Sequence, residues 1–295
     1  MKPNRTQALI IGGDSLIGRS LIDHCLLSKV PFIYTTRRSH LRPKNCVHLD
    51  LNKPALPECN PEQAFFCAGV TTFRACKEHP IETREINVDA IVEIAVQLHS
   101  RGTHIIYLSS NAVFDGTLPR PAKDTPTSAD TEYGLQKVDV EKKLLALGHH
   151  VSIVRMTKVV STRASPIKEW VSALQSGINV YPFSNKDICP ISLEFAATGI
   201  ASVAHNRIAG VTHLSGAQGM PYSTFVTSLA KTIGAPTNLV KPTINMQLDL
   251  AVDRNSRYAG LGMDLPSRNF PINPQVIHSV LLDLQTEIKN NPRLV

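Results

Sequence analysis

Short apolar runs rich in β-branched and aromatic residues recur through the first half of the chain, separated by longer stretches that repeat at helical period. The runs at 8–11, 32–35, 47–49, 64–67, 103–108 and 151–155 show little polar alternation, as strands covered on both faces require. Between them, Ile17, Leu21, Ile22 and Cys25 form one helical stripe. Ile86, Ala90, Ile91, Ile94, Ala95 and Leu98 form a second that stops at Arg101-Gly102, and Val138, Val140, Leu144, Leu145 and Leu147 a third. Strand and helix in alternation predict βαβ units, and hence an α/β fold with a doubly wound parallel sheet. After residue 155 the alternation loosens and Pro and Gly punctuate shorter elements, with helices expected over 194–205 and 223–233 and a strand at 211–214. The pattern divides the chain into a sheet domain at 1–155 and a smaller lobe at 156–295, of which about 190–215 returns to the sheet domain.

Composition narrows the class without fixing the function. The chain has 295 residues, 42% hydrophobic and 19% charged, which is enough apolar material for a core and too little charge for disorder. The polar opening Met1-Lys2-Pro3-Asn4-Arg5-Thr6 runs directly into Ala8-Leu9-Ile10-Ile11, so neither a signal-peptide core nor a membrane span is expected. Cysteines 25, 46, 59, 67, 76 and 189 contain no CxxC pair and no disulfide spacing, so reduced thiols and a cytoplasmic location are expected. Cys76 and His79 make half of a metal site with no second half at a suitable spacing, and no metal is expected. The net charge of +7 is scattered rather than gathered into a basic stripe, which argues against nucleic acid and leaves small anionic ligands as partners.

Candidate chemistry begins directly after the first apolar run. Gly12-Gly13-Asp14-Ser15-Leu16-Ile17-Gly18 joins that strand to the first helix. A glycine turn there admits a pyrophosphate to the backbone, and the helix N-terminus offers it free N–H groups and a positive dipole end. The second strand then runs into Arg37-Arg38, about 20 residues after the glycines, where an acid would select a ribose 2′-hydroxyl and an arginine a 2′-phosphate. NADP(H) is therefore the expected cofactor. Asp50-Leu51 after the third strand and Cys67-Ala68-Gly69 after the fourth are placed to line the same pocket.

At the end of the fifth strand stands Ser110, and further on Tyr133 and Lys137 share one helical face at i and i+4. Reduction of a carbonyl builds an alkoxide that needs a proton donor with a pKa near neutral. A free phenol near 10 lies about three units too high, a gap of roughly 4 kcal/mol. An ammonium about 4 Å away at an effective dielectric near 20 supplies about that much. Lys137 is thus expected to tune Tyr133 and to hold the nicotinamide ribose, and Ser110 to hold the carbonyl.

On these residues the chain resembles the extended short-chain dehydrogenase/reductases, most closely the dTDP-4-dehydrorhamnose reductase group, over nearly its whole length. The resemblance implies a Rossmann domain with a smaller C-terminal substrate-binding lobe, and hydride transfer from NADPH to a nucleotide-linked keto-sugar. It also points to Asn87, in Glu85-Ile86-Asn87-Val88, as a structural or active-site residue at the cofactor, and extends through Val113-Phe114-Asp115-Gly116, His213-Leu214-Ser215-Gly216 and a degraded terminal motif at 257–264. Ser15 departs from the pattern by replacing the middle glycine of the turn, Asn111-Ala112 by replacing Asp-Tyr, and Lys158 by standing where a Trp usually follows. Asn111, Arg155, Lys158 and Arg257 are the candidate substrate contacts, with Arg163 and Lys168 as further cations and a homodimer as the assembly allowed. Two other readings stand beside the reductase: an epimerase or dehydratase that returns the hydride, and a non-catalytic NADP-binding regulatory subunit.

Overall fold

The computed structural model describes residues 7–38, 44–244 and 258–290. Eleven strands occur in these segments. They are β1 (Ala8–Ile11), β2 (Phe32–Thr36), β3 (Cys46–His48), β4 (Gln63–Phe66), β5 (His104–Ser110), β6 (Val151–Met156), β7 (Lys158–Val160), β8 (Asp187–Ile188), β9 (Pro190–Ser192), β10 (Gly210–Leu214) and β11 (Met220–Pro221). The α-helices are α1 (Leu16–Leu27), α2 (Phe73–Glu78), α3 (Pro80–Arg84), α4 (Ala90–His99), α5 (Glu132–Leu145), α6 (Ile167–Gln175), α7 (Leu193–His205), α8 (Tyr222–Thr232) and α9 (Ile277–Asn290).

Seven strands form one parallel sheet in the order β10-β6-β5-β4-β1-β2-β3. The near-continuous apolar runs follow from burial on both faces. Along β1, Ala8 and Ile10 face α1 and α7 together with Ile106, Leu108 and Val154. Leu9 and Ile11 face α4 and α5 on the other side together with Ile105, Tyr107 and Ile153. The chain leaves β1 toward β2 and β3 on one side and later fills β4, β5 and β6 on the other, so β1 and β4 flank the point where the strand order reverses. Crevices at the carboxyl ends of such strands are where ligands bind in open α/β sheets.

The doubly wound sheet matches the architecture expected from the sequence, and the differences are local. The predicted stripe from Ile86 to Leu98 is split: Glu85–Asp89 forms a π-helical turn before α4 begins. β7 pairs in parallel with β9, and β8 pairs antiparallel with β11, in stretches too short for a period to register. A third apolar core joins Ile167 and Val171 of α6, Phe225 and Leu229 of α8, and Leu281 and Leu284 of α9. Helix α9 is also tethered by polar contacts: Asp283 accepts from Ser192 Oγ at 2.5 Å, and Glu287 accepts from the Thr162 N–H at 2.7 Å. This smaller C-terminal lobe therefore has a core of its own beside the sheet. Among the described residues no helix is long and apolar enough to cross a membrane.

Phe225 is fully buried at the centre of that third core. Its replacement by alanine is expected to cost about 3–5 kcal/mol, the usual range for a large aromatic-to-alanine cavity. Urea denaturation, followed by circular dichroism, measures the loss.

Candidate active site

The turn after β1 is built by close backbone approach. Gly12 adopts a φ of +87°, and a Cβ there would lie 2.7 Å from Ala68. A Cβ on Gly18 would lie 2.2 Å from the Gly12 carbonyl oxygen, so the first turn of α1 rests directly on the backbone before it. Ser15, the departure from the glycine pattern, turns its side chain back to cap α1, with Oγ accepting from the Gly18 N–H at 3.0 Å. Leu16 and Ile17 fall in the first helical turn, whose backbone N–H groups have no carbonyl partner within the helix. Ile17 directs its side chain to the core.

A cleft of about 380 Å³ opens over this turn. Gly12, Asp14, Ser15, Arg37, Arg38, Asp50, Leu51, Cys67, Ala68 and Gly69 all line it. Thr35 and Thr36, which the sequence reading passed over, also line it: Thr35 Oγ1 accepts from the Gly12 N–H at 3.1 Å, and Thr36 donates its hydroxyl to Asp14. Their signal was position, as the last two residues of a strand that ends at the arginines. Asp14 also faces Arg38 at 3.8 Å, an exposed pair that leaves the guanidinium free to turn. Hydrogen bonds from Asn52 hold the Asp50 carboxyl below its usual range, with a smaller contribution from Arg37. Burial pushes the Cys67 thiol up to about 12, so it lines the cleft as a neutral group.

The three catalytic candidates converge near the same edge. Ser110 ends β5 and its Oγ accepts from the Ala112 N–H at 3.1 Å. Tyr133 enters from the first turn of α5, which Thr131 caps by accepting from the Gly134 N–H at 3.2 Å. A Cβ on Gly134 would lie 2.2 Å from the Ala112 carbonyl oxygen, so the glycine beside Tyr133 seats α5 against the turn that follows Ser110. The phenol is packed edge-on against Phe73 at 5.4 Å. Burial raises its pKa above the ordinary tyrosine value, and a hydrogen bond with Ser110 acts the other way. Lys137 donates to the Leu108 carbonyl at 2.9 Å and stands 4.5 Å above the Tyr107 ring and 5.7 Å from that of Tyr133. Burial pushes its ammonium down to about 8, opposed chiefly by the charge of Glu141. Desolvation is thus the largest influence on both groups, raising the phenol and lowering the ammonium.

Other candidates fall elsewhere. Asn87 does not line the cleft: it is buried at 6% exposure, with Nδ2 donating to the Val70 carbonyl at 2.9 Å and Gln136 Oε1 at 2.8 Å while Oδ1 accepts from the Val70 N–H at 2.7 Å. It shapes the loop after β4, and its amide is occupied in doing so. Arg155, expected at the substrate, is 4% exposed and paired with Glu141 at 2.7 Å, which removes it from solvent. Asn111 lies beside Ser110 and donates to the Ala259 carbonyl at 2.9 Å. Lys158 opens β7 as an exposed residue, its ammonium lowered by desolvation and by Lys186, and it is not part of the cleft wall. Arg163 pairs loosely with Asp23 at 3.7 Å, and Lys168 lies in α6. Arg257 lies outside the described residues.

Methionine adenosyltransferase 2 subunit beta from Bos taurus is 24% identical over 256 residues, covering 81% of this chain and 75% of its own. The probable low-salt glycan biosynthesis reductase Agl14 of Haloferax volcanii is 23% identical over 209 residues, covering 68% and 70%. Among solved structures, dTDP-4-dehydrorhamnose reductase of Bacillus anthracis, in complex with NADP, superposes with a TM-score of 0.79 at 17% identity, covering 96% of this chain and 99% of that one. At that identity the likeness is one of fold. The model of the RmlD substrate binding domain matches residues 6–278, through both the sheet and the smaller lobe, and the chain belongs to that family.

Proposed function

We propose that this chain is an NADPH-dependent reductase of a keto group, carried on a nucleotide-linked 4-keto sugar, with Ser110, Tyr133 and Lys137 as its catalytic residues. The observation that carries the reading is the meeting of Ser110 with Tyr133, beside Lys137, at the strand edge that also bears the Gly12 cleft. In this reading residues 1–155 hold the cofactor, and 156–295 mainly hold the substrate, with about 190–215 returning to the sheet. The cleft suits a dinucleotide: Gly12 brings the turn close to Ala68, the first turn of α1 offers its N–H groups to a pyrophosphate, and Arg37 and Arg38 can reach a 2′-phosphate. NADPH bound there would supply the hydride.

The chain's own residues supply the rest. Ser110 Oγ donates to the carbonyl oxygen and holds it beside the phenol. Tyr133 delivers its hydroxyl proton to that oxygen as the carbonyl carbon gains the hydride, and the product is an alcohol. Lys137, charged below about pH 8, stabilises the phenolate left behind and is placed to hold the cofactor ribose. Burial of Tyr133 raises the need for that charge, because an isolated phenolate in this pocket is costly.

The test is NADPH oxidation against a panel of nucleotide-linked keto-sugars. Turnover of one of them supports the reading, and turnover without net oxidation favours the epimerase or dehydratase. Tyr133→Phe is expected to lower kcat by about a hundredfold or more while cofactor affinity holds. Because the lysine loses its proton as pH rises through about 8, kcat/KM is expected to fall on the alkaline side of that value. Replacing both Arg37 and Arg38 by alanine should weaken NADP binding about tenfold or more and leave NAD binding nearly unchanged, as read by calorimetry.

A second reading, a non-catalytic NADP-binding subunit of another enzyme, is favoured by the likeness to the beta subunits of methionine adenosyltransferase 2. Light scattering of the chain mixed with a methionine adenosyltransferase catalytic subunit discriminates. A stable complex together with no turnover across the panel would replace the reductase.

A further inference from the structure

Tyr133, Lys137 and Glu141 follow one another at i, i+4 and i+8 along α5, so the stripe that carries the two catalytic candidates continues inward to a carboxylate. Glu141 is 2% exposed and Arg155 is 4% exposed. Arg155 donates from Nη2 to Glu141 at 2.7 Å and from Nε at 3.0 and 3.2 Å, and Ser109 Oγ donates to the same carboxylate at 2.5 Å. Ser109 and Arg155 are register partners on β5 and β6. Arg155 is in turn held by the Lys123 carbonyl at 3.2 Å and by the face of Phe114 at 5.2 Å. Stability gives little reason to keep such a pair, since apolar residues of similar volume are often as stable or more so.

Its location suggests another reason. Helix α5 reaches β5 twice in succession, through Lys137 at Leu108 and through Glu141 at Ser109, and the next residue is Ser110. We propose that Glu141 is a positioning residue for the Ser110–Tyr133–Lys137 site: within its buried clasp with Arg155 it fixes β5 against α5 one residue before Ser110, and it presents a negative charge to Lys137. The proposal rests on the reductase reading for what the site does, and on the geometry alone for how the site is held.

Of the other groups around Lys137, two thiols act in the same direction as Glu141 but less strongly. Cys67 and Cys76 approach it from the loop after β4 and from α2, and burial raises both thiols. Tyr107 of β5 and Tyr133 present rings whose phenols are likewise raised by burial. Glu132 acts on Cys76, and His213, next to Arg155, is pushed down to about 4 by burial and is neutral near pH 7. Arg155 brings positive charge of its own. Glu141 therefore heads the influences that offset the cost of burying the ammonium.

An NMR titration of the full chain with 13Cε,15Nζ-labelled lysine tests this without a substrate, the Lys137→Arg variant assigning the resonance. The wild-type midpoint is expected at about 8. In Glu141→Gln it should fall by about one unit or more, and Glu141→Asp should restore most of the shift. Should Glu141→Gln fail to fold, because it leaves Arg155 unpaired, the double variant Glu141→Gln/Arg155→Gln carries the test, since it buries no net charge, and its midpoint is read against that of Arg155→Gln alone so that only the carboxylate differs. An unchanged Lys137 midpoint in whichever variant folds overturns the proposal, whatever its thermal stability. Where the panel gives turnover, the alkaline limb of kcat/KM should move with the NMR midpoint. A chain that turns over nothing would defeat the reductase reading and leave the NMR result to decide this one.

Discussion

At the carboxyl edge of the sheet, two helices rest directly on backbone carbonyls, and the site depends on both seats. Gly18 brings α1 onto the Gly12 carbonyl, and Gly134 brings α5 onto that of Ala112. Each contact leaves no room for a Cβ, so each fixes the depth and tilt of its helix more tightly than side-chain packing could. The first seat aims the N-terminus of α1 into the cleft. The second carries the Tyr133 ring to Ser110. The cleft and the Tyr133 ring thus share one edge because two glycines let helices sit a side chain closer than usual.

The sheet was legible in the sequence because its strands are covered on both faces and read as unbroken apolar runs. The stripes of α1, α4 and α5 were legible because each packs one face on that sheet. What escaped was set by contacts far away in sequence. The π-turn at Glu85–Asp89 carries Asn87, whose amide is shared between Val70 and Gln136, and nothing local in Glu85-Ile86-Asn87-Val88 announces those partners. Arg155, a candidate substrate contact on the resemblance, is taken up inside the fold instead. Its partner, Glu141, was hidden in a helix whose apolar stripe drew attention to Val138 and Val140. Spacing marks the glycine turn and the arginines of the cleft, whereas Thr35 and Thr36 carry no such mark, because threonine near a strand end reads as ordinary β-propensity.

The chemistry of the site is governed by what burial does to charge. The Tyr133 phenol is raised, the Lys137 ammonium lowered and the Cys67 thiol raised, all with desolvation as the largest cause. Burial thus works against the charged form of all three side chains.

The sheet's edge strand has a consequence for how the chain is made. β10 pairs with β6, yet the two are separated by β7, α6, β8, β9 and α7 in the order of synthesis. Six strands of the sheet can therefore assemble on the ribosome while β6 still presents a bare, apolar edge, the kind of surface that recruits stray strands. The interval until residue 214 emerges is when a nascent chain of this topology is most exposed to mispairing, and it is the period in which a chaperone holding that edge would matter most.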